Sequence, residues 1–150
     1  MTTLVLIDNN KDDLLFMKEA LASIDSSIQC LSFVYSEEAM NAMKHKILDG
    51  PDAVFMNINM PRRNGIQCLM ELRSNPTFEN LPVILYGPRI TIDILEALKG
   101  SGVTTAFEKP NTMLGWKKMM KQMLFAIENP TENFRALFKN SSWYIDVPAR

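Results

Sequence analysis

The polar side chains best placed to do chemistry fall in three short stretches, Asp8-Asn9, Asn57-Ile58-Asn59 and Lys109-Pro110. A carboxylate, several amides and an ammonium are the parts of a phosphoryl-handling site. The lysine can grip anionic oxygens, and a carboxylate with a carbonyl can hold a hard cation such as Mg2+. Within Phe55-Met56-Asn57-Ile58-Asn59-Met60-Pro61 the surroundings read as those of an aspartate that accepts phosphate, yet position 57 carries an amide. An amide nitrogen is a poor nucleophile because its lone pair is delocalised, and an amide oxygen is uncharged, so an acyl phosphate cannot form there normally. Asp12 lies nearby, and its simplest role is to favour the positive end of the first helix.

Other chemistries find little support. His45 is the only histidine and sits between Lys44 and Lys46 in a helical segment, which leaves no basis for histidine-based zinc chemistry or a two-histidine relay. Cys30 and Cys68 are far apart without C-x-x-C spacing, so buried free thiols are expected rather than a bridge or a metal site. No G-x-x-x-x-G-K-[ST] or G-x-G-x-x-G loop is present to cradle a nucleotide. A net charge of −1 offers no long-range field for DNA or anionic lipid; nucleic-acid binding would need a local patch, for which Arg62-Arg63 is the compact candidate. The N-terminal run has no basic leader and is too short for a signal peptide or membrane span, which predicts a cytoplasmic protein.

The 150 residues are enough for one domain with a continuous core. Short β-branched apolar runs at 4–7, 28–34, 53–56, 82–86 and 103–107 alternate with helical patterns near 12–24, 36–48, 65–74, 91–100 and 112–128. That alternation predicts βαβ units and a parallel, doubly wound α/β sheet. In such a sheet ligands bind beyond the carboxyl ends of the strands. Asp8-Asn9, Asn57 with Asn59, Gly87 and Lys109-Pro110 all follow strands, so they converge on one rim. Ser36 and Thr91 are predicted helix caps, with Gly100 and Gly102 ending the fourth helix through positive φ. Met113, Trp116, Met120, Met123 and Ile127 recur at helical spacing and read as core. Pro130 stops that helix. Residues 130–150 are expected to form an extension outside the 1–129 domain, with Phe134, Leu137 and Phe138 on one face of a short helix and Trp143-Tyr144-Ile145 extended; packing back onto the domain is expected ahead of the alternative, completing an interface with another chain.

Leu6-Ile7-Asp8-Asn9-Asn10, then Asn57-Ile58-Asn59-Met60-Pro61 with Asn64-Gly65, then Phe107-Glu108-Lys109-Pro110, occur in that order. Leu72-Arg73-Ser74-Asn75-Pro76 and Leu81-Pro82-Val83-Ile84 lie between the last two. Over roughly residues 3–128 the chain resembles the receiver domain of bacterial two-component response regulators, of the single-domain, chemotaxis-regulator-like (CheY-like) type. The resemblance implies a flavodoxin-like five-stranded parallel sheet of order 2-1-3-4-5, and a lysine and cis-proline motif at Lys109-Pro110. It also implies departures. Asn57 stands at the phosphoacceptor position and Asn9 in the acidic pair beside Asp8. Gly87 replaces the Ser or Thr that follows the phosphoryl group, and Ala106 replaces the aromatic that changes rotamer on activation. Lys109, deprived of its usual carboxylate, is expected to pair with Asp8 and to donate to the Asn57 amide oxygen.

The reading is therefore a non-enzymatic pseudo-receiver: a phosphorylation-independent protein-interaction module in phosphorelay signalling, without a cofactor beyond Mg2+ weakly held, as the resemblance implies, by Asp8 and the Asn59 carbonyl. Its partner is a histidine kinase or another signalling protein, with no nucleic acid or membrane involved. Dimerisation through the fourth- and fifth-helix face is implied by resemblance alone. Twenty residues after Pro130 cannot form a winged helix, which argues against a direct transcription factor. Two alternatives stay open. One is a conventional relay in which Asp8 or Asp12 takes the phosphate, and the other a flavodoxin-like binder of a small ligand in the crevice.

Overall fold

A computed structural model describes residues 1–45, 50–129 and the backbone of 144–145. Strands β1 (Thr3–Ile7), β2 (Gln29–Phe33), β3 (Ala53–Asn57), β4 (Val83–Gly87) and β5 (Thr105–Glu108) alternate with helices α1 (Lys11–Ile24), α2 (Ser36–Lys44), α3 (Gly65–Arg73), α4 (Ile92–Leu98) and α5 (Met113–Glu128). The five strands are parallel in the order β2-β1-β3-β4-β5, the expected doubly wound, flavodoxin-like arrangement. The expected five parallel strands are all present, and one further strand joins them from the C-terminal extension. A short strand β6 (Tyr144–Ile145) adds antiparallel to β5, with Phe107 opposite Tyr144 and Ala106 opposite Ile145. Parallel neighbours need a long crossover connection, whereas β6 pairs antiparallel on the edge that β5 would otherwise leave open. Phe134, Leu137, Phe138 and Trp143 lie outside the described residues, as does the predicted end of the second helix at 46–48.

Central strands buried on both faces read as unbroken apolar runs rather than alternating ones. Leu4, Leu6, Phe55, Ile84, Tyr86 and Phe107 face α1 and α5, packing on Met17, Leu21, Trp116 and Met120. Val5, Ile7, Met56, Leu85 and Ala106 face α2, α3 and α4, meeting Met43, Leu69, Leu72 and Leu98. The stripe on α5 is core, as its spacing predicts, with Trp116, Met120 and Met123 buried. Both cysteines are free, but only Cys68 is fully buried, Cys30 lying half-buried on edge strand β2.

Side-chain caps fix where the helices start, and thereby where the rim loops end. Asn10 caps α1 by accepting the backbone N–H groups of Asp12 and Asp13. A capping box of Asn64 and Gln67 starts α3, Thr91 caps α4 and Thr112 caps α5. Ser36 is not a cap: α2 begins on it, Tyr35 holds the cap position without a side-chain bond, and the buried Ser36 hydroxyl donates to the Arg63 carbonyl at 3.4 Å. Helix α4 stops short of 100 because Lys99 turns extended at ψ 127, followed by Gly100 at φ 67 and Gly102 at φ 86. No cis peptide occurs among the described residues, so the Lys109–Pro110 bond is trans rather than cis.

Candidate functional site

Parallel strands deliver their last residues to one rim, where the loops β1–α1, β3–α3 and β5–α5 meet. Asp8 follows β1 and is completely buried, with Asn57 at the end of β3 only 4% exposed. Lys109 follows β5, its backbone N–H held by the Gly87 carbonyl at 2.8 Å. The first and last of the predicted site residues, Asp8 and Lys109, are joined at 3.2 Å, as expected.

Each oxygen of Asp8 is engaged twice. Oδ1 accepts the Asn10 N–H at 2.9 Å and the Asn57 amide nitrogen at 3.1 Å. Oδ2 accepts the Tyr86 hydroxyl at 2.9 Å and pairs with the Lys109 ammonium. A carboxylate has about four lone-pair directions, so this one is saturated. The Asn57 amide nitrogen also reaches Asn9 Oδ1 at 3.2 Å and the Asn59 carbonyl at 3.3 Å, sharing two hydrogens among three oxygens.

The expected bond from Lys109 to the Asn57 amide oxygen is absent. That oxygen takes the Asn59 N–H at 3.1 Å, because the amide turns its nitrogen toward the surrounding oxygens. Lys109 instead donates to Asp13 at 2.6 Å, a carboxylate on the first turn of α1. An ammonium gains more from two carboxylates than from an amide. Asp12, its neighbour, is exposed and outside this network.

Asp13 and Tyr86 are the functional-site residues that sequence reasoning missed. Asp13 lies four residues before buried Met17, so the two share a helix face and Asp12 does not. Tyr86 ends an apolar strand, and a buried phenol needs a partner for its hydroxyl. Its ring stacks on Phe107 at 5.1 Å, meets Trp116 edge-on at 6.2 Å, and lies 5.4 Å from the Lys109 ammonium. Burial first, then the Asp8 charge, push its pKa well above the usual tyrosine value.

Gly87 and Ala106, where the sequence places the expected switch residues, carry no reactive group. A Cβ on Gly87 would sit 3.7 Å from the Asn59 amide nitrogen, so the space for a hydroxyl exists but none is supplied. Ala106 is buried on the opposite face of the sheet from Tyr86 and Phe107. The loop after β4 is tied to β5, since Glu108 accepts the Ile90 N–H at 3.0 Å.

A divalent cation does not fit the residues as arranged. Asp8 has no free oxygen, and the Asn59 carbonyl already accepts from Asn57. Among the described residues no group of three His, Cys, Asp or Glu is placed to hold a metal.

Comparison with known proteins agrees with this arrangement. The model of the response regulator receiver domain matches residues 4–121. The chain belongs to the response regulator receiver family. A comparison with curated proteins gave no match. Among solved structures, the receiver is similar to the phosphorylated cyanobacterial phytochrome response regulator RcpA, at 22% identity and TM-score 0.76, covering 86% of this chain and 95% of that one. The chemotaxis response regulator CheY4 of Vibrio cholerae aligns at 17% identity and TM-score 0.66, over 81% and 97% of the two chains. The Mn(2+)-bound form of response regulator Rcp1 aligns over 99% of this chain and 100% of its own, at 17% identity and TM-score 0.69. At these identities the likeness is one of fold. Receivers are in general signalling modules rather than enzymes. No described helix of this one is long and apolar enough to cross a membrane.

Proposed function

We propose that this receiver is a pseudo-receiver, a cytoplasmic protein-interaction module of two-component signalling that works without phosphorylation at position 57. The observation that carries the reading is the Asn57 amide, nearly buried and donating to Asp8, Asn9 and the Asn59 carbonyl, where the reaction requires a free oxyanion. Gly87 without a hydroxyl and small, packed Ala106 support it, because the usual relay from phosphate to the outer face has neither end. The partner is a protein such as a histidine kinase or another signalling component, recognised by surface shape and not by phosphoryl state. Dimerisation through the α4–β5–α5 face belongs to the same reading.

Rerouting phosphate to a neighbouring carboxylate meets physical obstacles. Asp8 has zero exposure and both oxygens occupied, and Asp12 lies outside the network that holds Lys109. Incubation of the intact chain with acetyl phosphate and Mg2+, and separately with a phosphorylated kinase, is expected to leave its mass unchanged. A stoichiometric acid-labile phosphoryl group would overturn the proposal, and its position by fragmentation would show whether Asp8 or Asp12 had taken over.

A further inference from the structure

We propose that the Asn57 amide and the Tyr86 hydroxyl form a built-in substitute for a divalent cation, so that the rim is held together by the chain's own donors. Three oxygens from two loops, Asp8 Oδ1, Asn9 Oδ1 and the Asn59 carbonyl, surround the Asn57 nitrogen at 3.1 to 3.3 Å. Oxygens gathered this way repel one another unless something positive lies between them. A hard cation is one solution and a polarised NH2 group is another. The amide therefore cross-links β1–α1 to β3–α3, the connection an ion would otherwise make.

Tyr86 closes the remaining route. Its hydroxyl donates to Asp8 Oδ2 and also contacts the Met17 sulfur at 3.4 Å, in a pocket walled by Phe107 and Trp116. A cation seeking that oxygen would have to displace a hydroxyl that is itself completely buried, beside a carboxylate with no exposed surface. Mg2+ in particular dehydrates reluctantly. Lys109, bridging Asp8 and Asp13, supplies the positive charge that the buried carboxylate needs. The consequence for the module proposed above is a rim whose shape, and so whose partner affinity, does not follow divalent cation concentration.

The test is Mn2+ binding, followed by its paramagnetic signal, together with thermal melts in chelator and in Mn2+. Four forms of the intact chain are compared: wild type, Tyr86→Phe, Asn57→Asp and the double variant. Wild type and Tyr86→Phe are expected to show no saturable site and the same melting temperature in both conditions. Asn57→Asp places a carboxylate among the oxygens, so it should be destabilised in chelator and rescued by Mn2+. The double variant, or Tyr86→Leu in the same background should it fail to fold, should bind about tenfold or more tightly than Asn57→Asp alone. Saturable Mn2+ binding by wild type, no binding by Asn57→Asp, or equal affinities with and without the hydroxyl would each overturn the proposal. The lock and the pseudo-receiver reading fail separately. Wild-type Mn2+ binding without phosphorylation removes only the lock, and metal-independent phosphorylation removes only the reading of function.

Discussion

Asp8 is the residue on which the rim depends, because four donors converge on a carboxylate that no water reaches. Substituting Asp8→Ala removes the acceptor of the Asn10 N–H, leaves the buried Tyr86 hydroxyl with only the Met17 sulfur, and reduces the part-buried Lys109 ammonium to Asp13 alone. Loss of one member of a buried ion pair costs about 3–5 kcal/mol. The expected outcome is a fall of that size in unfolding free energy by denaturant titration, with Asp8→Asn costing less because one oxygen survives. An unchanged midpoint would show that the network contributes nothing. At this scale the sequence told much about the site: Asp8, Asn57 and Lys109 are residue types whose chemistry is legible from type and position. Their partners were not, since which way an amide turns, or which of Asp12 and Asp13 faces inward, is decided by rotation about a helix axis and by competing acceptors.

Helix and strand boundaries were legible where punctuation is strong and less so where it is shared. Asn64-Gly65 is an example of strong punctuation, and its structural reason is specific. A Cβ on Gly65 would lie 2.6 Å from the Asn57 carbonyl oxygen and 3.0 Å from the Ile58 Cα, both backbone atoms with little freedom to retreat. The Gly65 N–H also donates to the Ile58 carbonyl at 2.9 Å, so α3 is clamped to the loop that carries Asn57. Gly65→Ala is therefore expected to destabilise by about 1–3 kcal/mol from overpacking. That outweighs the gain of about 0.5–1 kcal/mol alanine would bring within a helix. A melt showing stabilisation would contradict the close approach. Ser36 was misread as a cap because a serine before two glutamates is the same local signal whether the hydroxyl caps its own helix or, as here, reaches the neighbouring loop. Strand β6 was foreseen only as an extended segment, since antiparallel pairing to β5 is set by the path of the chain and not by its own two residues.

The whole molecule is a sheet with apolar residues on both faces, and its fold class followed from the alternation of short and long apolar patterns. Stability at the global scale carries a signature of Tyr86. Its folded pKa lies well above the value of about 10 for a free tyrosine, burial being the larger cause and the Asp8 charge the second. The neutral phenol therefore contributes stability that is fully present below about pH 10 and is lost as pH rises from there toward the folded value. Unfolding free energy should fall above that point more steeply in wild type than in Tyr86→Phe, by at most about 1.4 kcal/mol per pH unit. Parallel slopes for the two proteins would mean that the phenol ionises as readily in the native state as in the unfolded chain.

The clearance beside Gly87, where an added Cβ meets nothing closer than 3.7 Å, leaves an engineering route open. The first side-chain carbon of a threonine there would meet only ordinary van der Waals contacts. Combined with an aspartate at 57 and a phenylalanine at 86, that threonine would supply an acceptor, a hydroxyl and a carboxylate oxygen on Asp8 that Lys109 alone still engages. On the pseudo-receiver reading proposed above, three exchanges would return the receiving half of the chemistry while Ala106 leaves its outlet to the outer face still closed.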